Sequence, residues 1–186
     1  MRSRIILNKR IMKKTVLLLS SIIVITNVLW LYLYWDKDVE VALNSDVSFY
    51  SLHGTGENWD VHDYKIIITP DKILRGHASL SYKGDPAELS QSTFFEYKFY
   101  ENNDRGEKEV VYANEFRSYN GPLSILNNIK DTGSLTGEYS HGELEKGRAN
   151  YESSLLEIIW QDNEGRQHTE TINLELDKEI KIRAEE

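Results

Sequence analysis

LEIIWQDNEGRQHTETINLEL, residues 156–176, contains two alternating apolar and polar segments with a short polar connection between them. Apolar residues occupy every second position of residues 156–160 and again of residues 172–176. A period of two is typical of β-strands with one buried face. Asp162–Gly165 has the size of a hairpin turn, and Gly165 tolerates the left-handed backbone that such turns use. The sequence therefore predicts a closing antiparallel hairpin here.

The same alternation recurs upstream, so the domain is predicted to consist mainly of β-strands. Residues that favour turns, Pro, Gly, Asn and Asp, separate the segments at intervals suited to antiparallel pairs. About seven to nine short strands favour an all-β fold, an antiparallel β-sandwich (Ig-like), with a small barrel as the alternative. Residues 123–129 fit either a short helix or a strand. The alternating segments are 64–68, 78–82 and 95–99, and the turns are 69–72, 83–86 and 102–106.

Residues 15–35 form an uncharged segment of 21 residues, twelve of which are Leu, Ile or Val. As a helix it would be about 31 Å long, enough to cross a hydrocarbon core of about 30 Å. Six basic residues and no acidic ones lie within the first 35, which favours a cytoplasmic N-terminus. A cleaved signal peptide fits less well, because its apolar region is shorter and small residues precede its cut site. We predict an uncleaved signal-anchor that spans the membrane once.

This anchor sets the predicted order of the chain. The domain beyond the membrane would be extracellular, at the cell surface. The predicted segments are a cytoplasmic basic tail (1–14), a transmembrane helix (15–35), a short stalk (36–45), an extracellular β-sandwich (46–178) and a charged C-terminal tail (179–186).

The part of the chain after the anchor is strongly acidic, because its 16 basic and 30 acidic residues leave a balance of −14. Such a charge repels nucleic acid and anionic lipid, and it suits a cationic partner. The chain has no cysteine, which excludes disulfides, thiolate metal sites and lipid-modified cysteine. An exported domain without disulfides fits a Gram-positive bacterial surface. The expected partners are the bilayer, through residues 15–35, and a protein or cationic peptide, with nucleic acid excluded.

The most distinctive motif is GTGENWD at Gly54–Asp60, which lacks the Lys-Ser or Lys-Thr pair of a nucleotide-binding loop. One interpretation is a turn that enters a strand, with Trp59 covering the core. The other is a binding site made of Glu57, Asn58, Trp59 and Asp60.

With its Gly-x-x-x-Asn-Trp segment and the Ile-Ile-Trp-x-x-x-x-Gly hairpin at Ile158–Gly165, the chain resembles a set of uncharacterised Gram-positive membrane-anchored and lipoprotein-like surface proteins. The resemblance implies a β-rich domain that opens with this segment, and it implies no activity. Because the chain lacks the lipid-attachment cysteine of many of these proteins, a helix would tether it instead of a lipid.

No pattern indicates a catalytic residue, a cofactor or a metal site. The five histidines are scattered, and no serine-nucleophile motif is present. Glu57, Asp60 and Asp63 offer oxygen ligands for calcium, yet they lack the alternating acidic ladder of a dedicated calcium loop. With 30 acidic residues, a pair of carboxylates at a glycosidase-like separation occurs by chance alone. We therefore expect a protein that is not an enzyme.

Asn27 is the one carboxamide within the apolar segment. Local backbone groups satisfy such a side chain in many helices, and pairing with a second helix is the alternative. Taken together, the sequence favours a binding or interaction module at the cell surface. A cell-envelope hydrolase that uses carboxylates and an accessory subunit of a membrane complex are the alternatives.

Overall fold

The structure, a computed structural model, divides into two compact units, Met1–Ser45 and Asp46–Glu186. The predicted stalk (36–45) and most of the predicted basic tail lie outside the described residues. The residues that the structure describes are Met12, 14–31, 47–103, 105–138, Glu143 and 146–182.

The first unit contains helix α1 (Lys14–Leu31), which is long and apolar enough to cross a membrane. Its Leu, Ile and Val side chains are all exposed. Residues 32–35 of the predicted span lie outside the described residues. The helix is thus a candidate membrane span by its length and composition.

The second unit is an antiparallel β-sandwich of two sheets, which confirms the predicted all-β fold behind an N-terminal helix. Sheet A has the strand order β10-β1-β2-β3-β7, and β4 also pairs with β2. Sheet B has the order β6-β5-β8-β9. The strands are β1 (Val47–Thr55), β2 (Trp59–Ile68), β3 (Lys72–Gly76), β4 (Ser79–Tyr82), β5 (Phe94–Asn102), β6 (Lys108–Arg117), β7 (Ser134–Glu138), β8 (Leu155–Gln161), β9 (Gln167–Asn173) and β10 (Glu175–Ile182).

Short helical segments lie in the connections between strands: a 3-10 turn (Pro86–Leu89), α2 (Ile125–Asn128) and α3 (Arg148–Glu152). Within the range 123–129, where the sequence fitted a helix or a strand, the structure has the helix α2. Its Ile125 is buried and joins the core, together with Ile129 just after the helix. The helix interpretation is therefore correct, and the spacing of four positions places Ile125 and Ile129 on one face.

Strands β8 and β9 form the predicted closing hairpin. They pair antiparallel, with Leu155 opposite Asn173 at one end and Gln161 opposite Gln167 at the other. The chain then crosses at Leu174 into sheet A, where β10 pairs with β1. The tail predicted at 179–186 is wrong at its start, because β10 continues to Ile182. In this last part of the strand, Ile180 and Ile182 alternate with Glu179 and Lys181. The charged residues concealed this alternation.

The core is rich in aromatic side chains, which the inward-facing positions of the strands supply. Strand β5 shows this clearly, since Phe95, Tyr97 and Phe99 are fully buried and their neighbours are half-buried. The Phe99 ring stacks on the Tyr64 ring of sheet A with their centroids 4.0 Å apart. Such contacts between sheets add to the burial of apolar area and hold the two layers together.

A group of four charged side chains, which we call the buried ion cluster, lies near Tyr64. Arg75 donates from Nε to Glu101 Oε1 at 2.6 Å and from Nη2 to Glu101 Oε2 at 2.7 Å. Lys146 Nζ lies 3.1 Å from a carboxylate oxygen of Glu101 and 3.1 Å from one of Glu143. The Arg75 Nη2 group also reaches Glu143 at 2.9 Å. Two positive and two negative charges therefore neutralise one another where water is almost excluded.

The cluster affects the pKa of its members and of the tyrosine beside it. Burial alone would lower the pKa of Arg75, but hydrogen bonding and charge from Glu101 and the charge of Glu143 raise it above its ordinary value. Burial, and then the charge of Glu101, raise the pKa of Tyr64 well above its ordinary value. Arg75 thus stays charged and Tyr64 stays neutral throughout the pH range in which proteins fold.

Candidate functional site

The β1–β2 connection, which contains the predicted binding motif, is fastened to both sheets. The Gly56 N–H donates to the Trp59 carbonyl at 2.8 Å and closes the turn. The Glu170 carboxylate on β9 accepts hydrogen bonds from the backbone N–H groups of Glu57 and Asn58, the latter at 3.0 Å. A carboxylate of sheet B therefore caps a turn of sheet A.

Two glycines of the motif are explained by close approaches. A Cβ on Gly56 would lie 2.0 Å from Glu170 Oε1 and 2.9 Å from Cγ1 of Ile172. A Cβ on Gly54 would lie 2.8 Å from the carbonyl oxygen of Asn173. The first and third residues of the motif are glycine because β9 passes directly beside them.

Trp59 is fully buried, so its assignment as a binding residue is wrong and the alternative, a turn with Trp59 on the core, is correct. Its ring centroid lies 4.8 Å from that of Tyr82, 5.5 Å from that of Phe95 and 5.7 Å from that of Trp160. Trp59 is the first residue of β2, and the inward face of that strand directs the indole between the sheets. In this fold, the tryptophan that follows the glycine-rich turn is part of the core.

Asp60 lies on the outer face of sheet A, beside Lys83. The Lys83 Nζ lies 3.3 Å from Asp60 Oδ1 and donates to the Gly56 carbonyl at 2.7 Å. Asp60 is therefore engaged in holding the turn. Among the described residues no group of three or more His, Cys, Asp or Glu is arranged to hold a metal ion, so the calcium hypothesis for Glu57, Asp60 and Asp63 gains no support.

Asn58 lines a polar cleft of about 300 Å³ at this end of the sandwich. Three separate parts of the chain supply its other walls: the end of β4, the 3-10 turn and the β8–β9 hairpin. The structure thus brings Asn58, one of the four predicted binding residues, to this cleft. The other lining residues are Tyr82, Glu88, Trp160, Asp162, Asn163, Glu164, Arg166 and His168.

Asp162 organises the hairpin wall of the cleft. One of its carboxylate oxygens accepts from the backbone N–H groups of Glu164 and Arg166, each at 2.9 Å. The other oxygen lies 2.8 Å from the Arg166 Nε and 2.8 Å from the His168 Nε2. The hydrogen bond with His168, followed by those with Arg166 and Glu164, holds the pKa of Asp162 far below its usual value. The His168 ring stacks on Trp160 with the centroids 5.2 Å apart, so this wall is rigid.

Asn163, at the hairpin tip, fastens that wall to the 3-10 turn. Its Nδ2 donates to the Ala87 carbonyl at 2.6 Å, and its Oδ1 accepts from the Gln91 N–H at 2.7 Å. Its backbone N–H donates to the Glu88 carbonyl at 3.1 Å. Because both ends of the carboxamide are used, the cleft is held open by hydrogen bonds rather than by apolar packing.

Glu88 is the carboxylate of the cleft that is free to meet a ligand. It accepts a hydrogen bond from the Tyr82 hydroxyl at 2.7 Å, and no cationic side chain of the described residues pairs with it. Burial, and then the hydrogen bond with Glu88, raise the pKa of Tyr82 to about 12. Arg166 forms ion pairs with Asp162 and Glu164. The cleft is lined by three carboxylates and one guanidinium, so these four groups have a formal balance of −2.

Asn27 belongs to α1, and its Nδ2 donates to the Ile23 carbonyl at 2.8 Å. Ser20, Ser21 and Thr26 donate to backbone carbonyls of the preceding turn in the same way. Local backbone groups thus satisfy the donor of Asn27, while its Oδ1 remains available. Pairing with a second helix through this residue stays a prediction.

The cleft was missed because its walls are distant in sequence and polar. The sequence identified residues 83–86 and Asp162–Gly165 as turns, and nothing in either segment shows that the two meet. Asn163 and Ala87 are 76 positions apart. The chain is thus an all-β sandwich with a polar, acidic cleft beside its first hairpin. No protein-family model, curated protein or solved structure matches this chain.

Proposed function

We propose that the protein is a membrane-anchored binding module of the bacterial cell surface, and that its cleft binds a cationic group of a protein or peptide. The anchor is α1, with its basic residues in the cytoplasm and the sandwich outside the cell. The charge asymmetry of the sequence supports this orientation, since the first 35 residues carry all six of their charges as Lys or Arg.

The arrangement around Glu88 carries the proposal. Its carboxylate is exposed, has one neutral donor in Tyr82 and has no cationic partner among the described residues. An ammonium or guanidinium group that entered the cleft would meet Glu88 together with the amide of Asn58. Hydrogen bonds of this kind, with one charged partner, are about twice as strong as neutral ones.

The overall charge of the domain supports the same ligand class. A balance of −14 beyond the anchor attracts cations over distances of about 8 Å at physiological ionic strength. Attraction of this range speeds encounter, and the cleft then selects the ligand by direct contact. A neutral or anionic ligand would gain nothing from either effect.

The experiment uses the full chain in nanodiscs of zwitterionic lipid and a fluorescent hexa-arginine peptide, with binding followed by anisotropy. Glu88→Gln should weaken binding about tenfold, the value of one hydrogen bond to a charged group. The matched control is Glu175→Gln, which removes one exposed charge of β10 outside the cleft and should change binding little. Equal losses in the two variants would show that net charge alone binds the peptide, and would refute the cleft.

A further inference from the structure

The outer face of sheet A carries apolar side chains that the core does not use. Cross-strand register places Ile180, Phe49, Ile67 and Leu74 side by side across four strands, in what we call the apolar row. None of the four belongs to the core cluster. Paired residues of neighbouring strands share a face, so the row is continuous.

A second cross-strand pair of apolar residues extends this surface along β1 and β10. Val47 pairs with Ile182, of which 60% is exposed, and Ile180 is 37% exposed. Val47 is the first residue of β1, so the chain enters the domain within this surface. Contiguous exposed apolar residues on a soluble domain mark a site of interaction with a protein or a membrane.

Lysines flank the apolar row although the domain is acidic. Lys178 and Lys65 both pair with Ser51 and lie in the next row of the same face. Lys72 lies on its other side, where it pairs with Glu138 and contacts Asp71. Lys178 and Lys65 have no ion-pair partner among the described residues.

From these observations we propose that this face docks on the anionic surface of the membrane that holds the chain, an inference that rests on the membrane anchor proposed above. Only 15 residues separate Leu31, the end of α1, from Val47. They span at most about 50 Å, so the domain stays within reach of the lipid surface. Apolar side chains with lysines around them suit the boundary between acyl chains and headgroups.

The net charge of the domain does not oppose this docking. Screening limits each charge to a range of about 8 Å at physiological ionic strength, so the lysines next to the lipid outweigh carboxylates on the far sheet. The expectation that the acidic domain repels anionic lipid holds for its average field, and this face is the exception. A lysine near an anionic surface contributes about a fivefold change in the docked to undocked ratio.

The absence of cysteine from the chain allows a site-specific test. Ile67→Cys carries a fluorophore on the apolar row, and Thr169→Cys, exposed on β9, carries it on sheet B. The full chain is reconstituted in vesicles with brominated lipids, with and without anionic lipid. Flotation with the vesicles shows first that the anchor has inserted.

We expect strong lipid quenching at position 67, more with anionic lipid, and little at position 169. Lys65→Gln and Lys178→Gln should each lower the docked to undocked ratio about fivefold, while Lys108→Gln on β6 should not. Equal quenching at positions 67 and 169 in floated vesicles would overturn the docking and leave the anchor intact. Shielding of the fluorophore at position 67 from water that depends on the density of protein in the vesicles, and not on the lipid, would also overturn the docking. A second copy of the chain would then cover the face. Failure of the chain to float would refute the anchor itself.

Discussion

Replacing Glu101 with Gln should destabilise the sandwich by about 3 kcal/mol, the lower end of the range for breaking a buried ion pair. The Glu101 side chain is 0% exposed and accepts from two nitrogens of Arg75 and from Lys146. Gln removes the charge, and its amide NH₂ faces a donor where an acceptor stood. Glu143 remains near both cations and compensates in part, which is why we choose the lower end of the range.

The assay is urea unfolding of the full chain in detergent, followed by the change in tryptophan fluorescence as Trp59 and Trp160 leave the core. The matched control is Glu152→Gln, which breaks an exposed pair with Arg148, and its cost should stay below about 0.5 kcal/mol. Added salt should reduce the control effect and leave that of Glu101→Gln nearly unchanged. A loss below about 1 kcal/mol for Glu101→Gln, with an unchanged urea slope, would refute the account of the cluster as a buried, mutually dependent set.

Gly56→Ala should cost about 1–3 kcal/mol in the same unfolding assay, because its Cβ displaces Glu170 from the turn it caps, whereas Gly137→Ala, with open space around it, should cost much less. The raised pKa of Tyr82 means that its contribution to stability is complete below the unfolded pKa of about 10 and is lost as the pH rises to about 12. Tyr82→Phe should therefore lose less stability than the wild type between these pH values, and identical pH curves would contradict the raised pKa of Tyr82. Asn27→Leu should weaken self-association of the membrane segment in a reporter assay if the free Oδ1 pairs two helices, and unchanged association would exclude that pairing.

Local signals predicted the fold because this sequence agrees with its structure at short range. Alternation over residues 95–99 identified β5, and the Asp162–Gly165 turn identified the β8–β9 hairpin, since each depends on neighbours in the chain. The end of β10 was misplaced because the charges of Glu179 and Lys181 outweighed Ile180 and Ile182, which alternate with them. The charged residues thus obscured the alternation of β10, which the pairing of β10 with β1 makes evident.

The cleft and the buried ion cluster follow from tertiary contacts that have no local signature. Arg75 and Glu101 are 26 positions apart, and Asn163 reaches Ala87 across 76. A charged residue on a strand usually indicates an outward position, yet Arg75 is 6% exposed. Only the position of its partner shows that the charge is compensated inside the fold.

The face that each side chain takes depends on irregularities that a period of two cannot predict. Trp59 and Val61 point into the core, and so do Tyr64 and Ile66, so the alternation of β2 changes phase between Val61 and Tyr64. The register with β1 shifts at the same place, where Asp63 has a φ of 56°. Extending the pattern back from Tyr64 without this bulge would bury His62 and expose Trp59. One residue in the left-handed region therefore directs the indole of the motif into the core, and it leaves Lys65 and Ile67 on the outer face that we propose docks on the membrane.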